Sequence, residues 1–322
     1  MINIIGGAGF VGTRLAKVLD ELGRPYRIFD KALTGDQHKD VTLPDTLKNL
    51  PSADVLINLA AEHRDDVSPR SLYDLVNVEG ARNVCDYCRS AGINKIVFTS
   101  SVAVYGFAPV GADETGALNP FNDYGRTKME AEAVYREWLA EDPSTRSLVI
   151  VRPTVIFGEQ NRGNVYNLLN QIAKKRFIMF GSGTNRKSMA YVENVAEFLA
   201  FSVRFGPGEH LYNYVDKPDL DMNTLVARCR SVLFKKDSVG LRLPGWLGVF
   251  AGYGFDMLAA LARKKLPISS IRVKKFMGTT AFDTSIAETG FTPPYTLNEG
   301  LEKTLRHEFL ENHANKTLFH SE

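Results

Sequence analysis

Tyr124 and Lys128 are the residues of this chain best placed by type and spacing to move a proton. Four apart, they share one face of a helix, one turn from each other. A free phenol, with a pKa of ~10, is a poor base at neutral pH. An ammonium a few ångström away favours the phenolate and makes the transfer feasible. Thr99, Ser100 and Ser101 end an apolar run, so a hydroxyl there can orient the same substrate oxygen. Tyr and Lys fall four apart in many helices, so the pair gains force only where the chain also builds a dinucleotide site.

Such a site opens the sequence. The apolar run 1–5 leads at once into Gly6-Gly7-Ala8-Gly9-Phe10-Val11-Gly12, and 13–22 then reads as an amphipathic helix. Glycines at 6, 9 and 12 permit a tight turn and close backbone approach, so that a pyrophosphate can sit on the helix N-terminus. Strand 26–29 ends in Asp30, about 20 residues past the glycines, where a carboxylate suits the ribose 2′-OH of NAD and repels the extra phosphate of NADP. Asp40 and Val41 are weaker candidates for an adenine contact. Strand 54–59 ends in Asn58-Leu59-Ala60-Ala61, small side chains that let a cofactor pass close to the sheet edge. His63 and Arg64 follow in a polar loop, which reads either as ligand contacts or as a solvated turn.

These residues need a frame. A long helix over 72–90 carries Asn77; strand 95–100 delivers Thr99; the Tyr124 helix runs to about 140; strand 148–151 is closed by Arg152-Pro153. Strands alternating with helices predict an α/β fold with a doubly wound parallel sheet. Beyond 155 the pattern loosens into a helix over 165–175, a short strand over 177–180 and a loop over 181–188 holding Arg186 and Lys187. Loop cations are commonly just solvated, but beside a cleft they grip a diphosphate. The expected division is a dinucleotide domain over 1–165, rejoined by part of 188–215, and a mainly substrate-binding domain over 166–322.

Composition narrows the classes. At 322 residues with 44% hydrophobic and 24% charged content, the chain is an ordinary globular protein. Its three cysteines make no disulfide framework, and Cys85-x-x-Cys88 lacks the second pair that a zinc site needs, so no metal is expected. With no apolar leader run at its start, a reducing cytoplasm is the expected compartment. Residues 228–275 hold eleven Lys or Arg against two acids, a net of +9, leaving −7 for the rest of a chain whose total is +2. Within that stretch, 243–262 carries a single charge and includes Trp246 and Phe250. Basic clusters flanking an apolar run suit an anionic membrane surface; a buried helix pair with a solvated basic rim explains the composition equally well. No nucleic-acid recognition motif accompanies the charge.

Taken together, the Gly6-Gly9-Gly12 loop, Asp30, Asn58 to Ala61, Asn77, Thr99 to Gly106, Tyr124-x-x-x-Lys128 and Arg152-Pro153 resemble an extended short-chain dehydrogenase/reductase of the NAD-dependent epimerase/dehydratase family. The resemblance implies an NAD cofactor, with Tyr124 as acid/base, Lys128 lowering its pKa and holding the nicotinamide ribose, and Ser101 bonding the sugar oxygen. Phe10, Val11, Leu59, Ala60, Ala61, His63, Thr99 and Pro153 would then line the cofactor, with Asn77 chiefly a structural residue on the cofactor side. Dehydratases of the family resemble one another in an Asp-Glu pair just after the catalytic hydroxyl; Val102-Ala103 stands there and disfavours water elimination. A 4-epimerase needs no further acid or base.

Further stretches, among them 60–69, 161–167, 187–191 and 212–219, are similar to the bacterial 4-epimerases that interconvert GlcNAc and GalNAc on undecaprenyl diphosphate for O-antigen and lipopolysaccharide biosynthesis. That resemblance implies substrate contacts at Ser101, Val102, Asn164, Lys187 and Arg272, peripheral attachment to the cytoplasmic face of the inner membrane, and a homodimer as a family expectation. Lys187 stands where UDP-galactose epimerases place an arginine, a point charge in place of a bidentate fork. Thr280, near where those enzymes restrict an N-acetyl group, is small enough to admit one. A soluble UDP-N-acetylglucosamine 4-epimerase, a 4-keto-sugar reductase and a non-catalytic NAD-binding scaffold are the alternatives.

Overall fold

The computed structural model describes residues 1–64, 67–248, 250, 278–313 and 317–320. Six strands form one wholly parallel sheet: β1 (Ile2–Ile5), β2 (Tyr26–Phe29), β3 (Val55–Asn58), β4 (Lys95–Thr99), β5 (Ser147–Pro153) and β6 (Gly208–Tyr214). Their spatial order is β6-β5-β4-β3-β1-β2. The chain reverses its direction of winding between β1 and β3, and a ligand crevice belongs outside the carboxyl ends of strands at such a switch point. β1 and β3 are buried along their whole length, as a sheet covered on both faces requires.

Helices cover both faces. On one side α2 (Gly80–Ala91) and α3 (Asp123–Ala140) pack Val84, Cys85, Tyr135 and Trp138 against Leu56, Ile96, Phe98 and Ile150. On the other, α1 (Phe10–Glu21) and Val192–Ser202 pack Leu15, Leu19, Phe198 and Leu199 against Ile4, Ile57, Val97 and Val149. A third cluster lies off the sheet, where helices Asn164–Ala173, Met222–Phe234 and Leu297–Phe309 meet around Leu169, Leu225, Val226 and Leu301. All three cysteines are buried and free, and burial pushes the Cys85 and Cys229 thiols up to about 12.

Two local expectations change. The helix over 72–90 is unbroken but not α-helical throughout: Ser71–Tyr73 runs into a π-helical stretch over Asp74–Glu79 before α2 begins. The wider turn buries Asn77, and π-bulges are characteristic of functional positions. The stretch 181–188 is not wholly a loop, because Arg186–Lys187 pairs antiparallel with Leu220–Asp221. Among the described residues no helix is long and apolar enough to cross a membrane.

Candidate active site

The first βα turn decides where a cofactor lies. Gly6 sits at φ +76°, and a Cβ there would fall 2.6 Å from the Ala60 backbone nitrogen. Only glycine therefore lets the loop after β1 press against the end of β3. The Asp30 carboxylate reaches back to the same loop, accepting from the Ala8 N–H at 3.1 Å and the Ala32 N–H at 2.9 Å. Asp30 thus fixes the loop while still facing the cleft. Asp40 caps its own turn through the Thr42 N–H and hydroxyl, placing Val41 against Gly80.

The helix that carries Tyr124 and Lys128 is brought in by a second close approach. Asn122 caps α3, its side chain accepting from the Gly125 N–H at 2.9 Å. A Cβ on Gly125 would lie 2.4 Å from the Ala103 carbonyl, so glycine is what allows α3 to touch the turn that carries Ser101. The outcome is that Ser101 and Tyr124 line the same cleft, with the Ser101 hydroxyl near enough to act on the phenol's pKa. Ser101 accepts from the Ala103 N–H at 3.1 Å, which fixes its side chain as the cap of that turn. One turn along α3, Lys128 is 2% exposed, and its Nζ lies 4.4 Å from the centroid of the Phe98 ring.

Electrostatics depart from the expectation that Lys128 lowers the phenol's pKa. In the protein alone burial dominates at both groups. It raises Tyr124 above its ordinary value against the pull of the neighbouring Ser101 hydroxyl. It draws Lys128 down to about 7, with Glu132 opposing. The pair is therefore not held as phenolate and ammonium by the polypeptide; burial favours the neutral form of each.

A cleft of about 880 Å³ joins these parts. Gly6, Gly9, Phe10, Val11, Gly12, Asp30, Asp40, Val41, Leu59, Ala60, Ala61, His63, Thr99, Ser101, Val102, Tyr124, Lys128, Pro153 and Asn164 all line it. The glycine cradle fits a dinucleotide, and so does Thr99, whose buried Oγ1 has no hydrogen-bond partner among the described residues. Three sequence candidates stand apart. Asn77 lies behind the wall, not on it: its side chain accepts from the Glu62 N–H and donates to the Glu62 carbonyl and Thr127 Oγ1, at 2.9 to 3.0 Å. Its capacity is spent on holding the loop after β3 to α3. Lys187 does not line the cleft itself but donates to Thr280 Oγ1 at 3.2 Å, and Thr280 does line it. Arg272 and most of 243–275 lie outside the described residues.

Some of the site was not visible in the sequence. Glu132 is fully buried and receives Ser100 Oγ at 2.5 Å and two Arg152 nitrogens at 2.8 and 2.6 Å. Arg152 continues to Tyr105 at 2.6 Å, and Tyr105 to Asn213 on β6 at 2.8 Å. Glu132 follows Lys128 at the same four-residue step, which is the one pattern that could have singled it out. Leu318, Phe319 and His320 also border the cleft, and nothing in their composition marks them.

The family model for NAD dependent epimerases and dehydratases matches residues 2–214 of this chain. The chain belongs to that family. It is 48% identical over 331 residues to the N-acetyl-alpha-D-glucosaminyl-diphospho-ditrans,octacis-undecaprenol 4-epimerase of Escherichia coli O157:H7, covering all of this chain and 99% of the relative. Among solved structures, MoeE5 in complex with UDP-glucuronic acid and NAD superposes with a TM-score of 0.70 at 22% identity, covering 95% of this chain and 98% of the other. The UDP-N-acetylglucosamine 4-epimerase of Bacillus cereus gives a TM-score of 0.72 at 16% identity, covering 94% and 97%. At such identities the two structures speak for the fold. For an NAD-dependent family, the crevice at the β1/β3 switch point is the place for the dinucleotide.

Proposed function

We propose that this protein is an NAD-dependent 4-epimerase interconverting GlcNAc and GalNAc on undecaprenyl diphosphate through a 4-keto sugar. The observation that carries the reading is the Tyr124 phenol sharing a cleft with Ser101, one helical turn from buried Lys128 and beside the glycine loop. The near full-length similarity to an enzyme of that substrate supports the lipid-linked sugar.

The chain's own residues have a short task. Gly6, Gly9 and the first turn of α1 would hold the diphosphate of NAD, Asp30 its adenosine ribose, and Lys128 the nicotinamide ribose. Bound there, NAD supplies the acceptor and then the donor of one hydride at the sugar's C4. Ser101 fixes the C4 oxygen while Tyr124, having first passed its own phenol proton to neutral Lys128, takes the proton of the C4 hydroxyl and returns it to the same oxygen after the ring has turned over. No acid pair follows Ser101, where Val102 and Ala103 stand, and this disfavours elimination of water.

Attachment to the cytoplasmic face of the inner membrane, as a homodimer, belongs to this reading. Leu241, Trp246 and Phe250 are 58%, 61% and 69% exposed, beside the cations Lys235, Lys236 and Arg242. Aromatic side chains with neighbouring lysines and arginines are suited to an anionic lipid surface. Purified protein incubated side by side with undecaprenyl-diphosphate-linked GlcNAc and UDP-GlcNAc tests the assignment. The expected result is GalNAc formation on the lipid; turnover of the UDP sugar alone would replace the reading with a soluble UDP-N-acetylglucosamine 4-epimerase.

A further inference from the structure

We infer that residues 317–320 form a strap across the mouth of the dinucleotide cleft and retain NAD between half-reactions, an inference that rests on the NAD-site reading above. The segment joins the two walls of the cleft. Its Phe319 ring lies 5.7 Å from that of Phe10, in the first turn of α1 beside the glycine loop. Its backbone is paired with the opposite wall: the Phe319 N–H donates to the Gln160 carbonyl at 3.0 Å, and the Arg162 N–H donates to the Phe319 carbonyl at 2.8 Å. Arg14 ties the same parts together, its guanidinium 5.5 Å from the Phe10 ring and 5.8 Å from the Phe319 ring. It also donates to the Glu159 carbonyl and to Gln160 Oε1 at 2.9 and 2.8 Å.

The anchor is prepared independently of the strap. Gln160 has φ +71°, a left-handed backbone that a side chain other than glycine adopts at a cost. Glu308, on helix Leu297–Phe309, holds it there by accepting the Gln160 N–H at 2.7 Å and pairing with Arg162 at 2.9 Å. The strained turn aims the Gln160 carbonyl at the strap. Leu318, Phe319 and His320 all border the cleft, while among the described residues Phe319 is held by two backbone hydrogen bonds, the Phe10 ring and the Arg14 guanidinium. Such a join is weak enough to open for cofactor entry and closed enough to slow its loss. The chemistry gives this a purpose, because an epimerase that releases its reduced cofactor in mid-turnover strands a keto sugar.

The test is the exchange rate of bound NADH, followed by its fluorescence after addition of excess NAD, in the full chain. Phe319→Pro removes the donor to Gln160 and the ring together; Phe319→Ala removes the ring alone; Phe319→Tyr keeps both. Exchange about tenfold faster in Phe319→Pro, less accelerated in Phe319→Ala and unchanged in Phe319→Tyr is the expected series. Should the Pro variant not fold, the Ala and Tyr variants carry the comparison. Equal exchange rates for the wild type and Phe319→Ala, with NADH bound by both, overturn the strap and leave the active site standing. Failure of the wild type to bind dinucleotide overturns the NAD-site reading instead.

Discussion

Glu132 and Lys128 sit one turn apart on the same helix, both essentially inaccessible to water, yet they are built oppositely. Glu132 is gripped through both oxygens by Arg152, with Ser100 and Arg136 adding further bonds. Lys128 meets the face of Phe98, and among the described residues no carboxylate forms an ion pair with it. A paired buried charge is fixed, because either partner alone would be stranded in a medium of low dielectric. A buried charge without a partner titrates near neutral pH and is available for chemistry. Burial by itself therefore marks nothing; burial without a counter-charge marks the site.

The comparison is sharpened most by removing the proposed proton carrier, the phenol one turn from Lys128. Tyr124→Phe takes away one hydroxyl beside Ser101. We expect kcat to fall by about 10²- to 10⁴-fold, the usual worth of a positioned acid/base, with the dinucleotide still bound. A variant within tenfold of the wild type would remove Tyr124 from the chemistry.

On the paired side the expected loss is in stability. Glu132→Gln leaves Arg152 buried without its counter-charge and should cost about 3–5 kcal/mol in urea unfolding. Replacing both partners, as Glu132→Leu with Arg152→Met, should cost much less, since no charge is then stranded. Equal losses in the single and double variants would show that packing, not charge pairing, holds this junction.

Lys128 should behave in the reverse sense. Its pKa is drawn from 10.5 to about 7 in the folded protein. Below pH 7 both folded and unfolded chains carry the proton, and the folded state bears the whole cost of burying it. Between those values the unfolded chain binds more protons, so stability rises with pH. Cofactor-free Lys128→Met should therefore be more stable than the wild type at pH 6, by roughly 2–4 kcal/mol, and the gap should narrow towards pH 9. A gap that is constant with pH would mean that Lys128 keeps its charge throughout.

How much of this could be read from the sequence follows from what kind of interaction sets each residue. The glycine loop, Asp30 and the Tyr124 helix are local: their residue types are dictated by a turn, a strand end and a helical step, so the chain spells them out. Asn77 was legible as a chiefly structural residue, but its partners Glu62 and Thr127, 15 and 50 residues away, were not. The Glu132–Arg152 pair and the strap at Phe319 join elements 20 and more than 150 residues apart. Nothing in either partner's neighbourhood announces the other. Lys187 was read as a loop cation, whereas a two-residue strand pairing with Leu220–Asp221 fixes its backbone.

That pairing gives Lys187 the smallest and most specific of these effects. Burial draws its ammonium down to about 8, and Thr280 Oγ1 accepts one of its protons at 3.2 Å. If it grips a substrate diphosphate, the free enzyme loses that grip as the lysine deprotonates. Wild-type kcat/KM, which reports groups in the free enzyme, should then decline above about pH 8. The decline should level off at about a tenfold loss, the worth of one charge-assisted hydrogen bond. In Lys187→Arg the guanidinium stays protonated, so this step should vanish. Any decline that Lys128 contributes is common to both proteins, and their ratio isolates Lys187. A ratio that does not change between pH 7 and pH 9.5 would remove Lys187 from diphosphate binding and take the diphosphate elsewhere in the cleft.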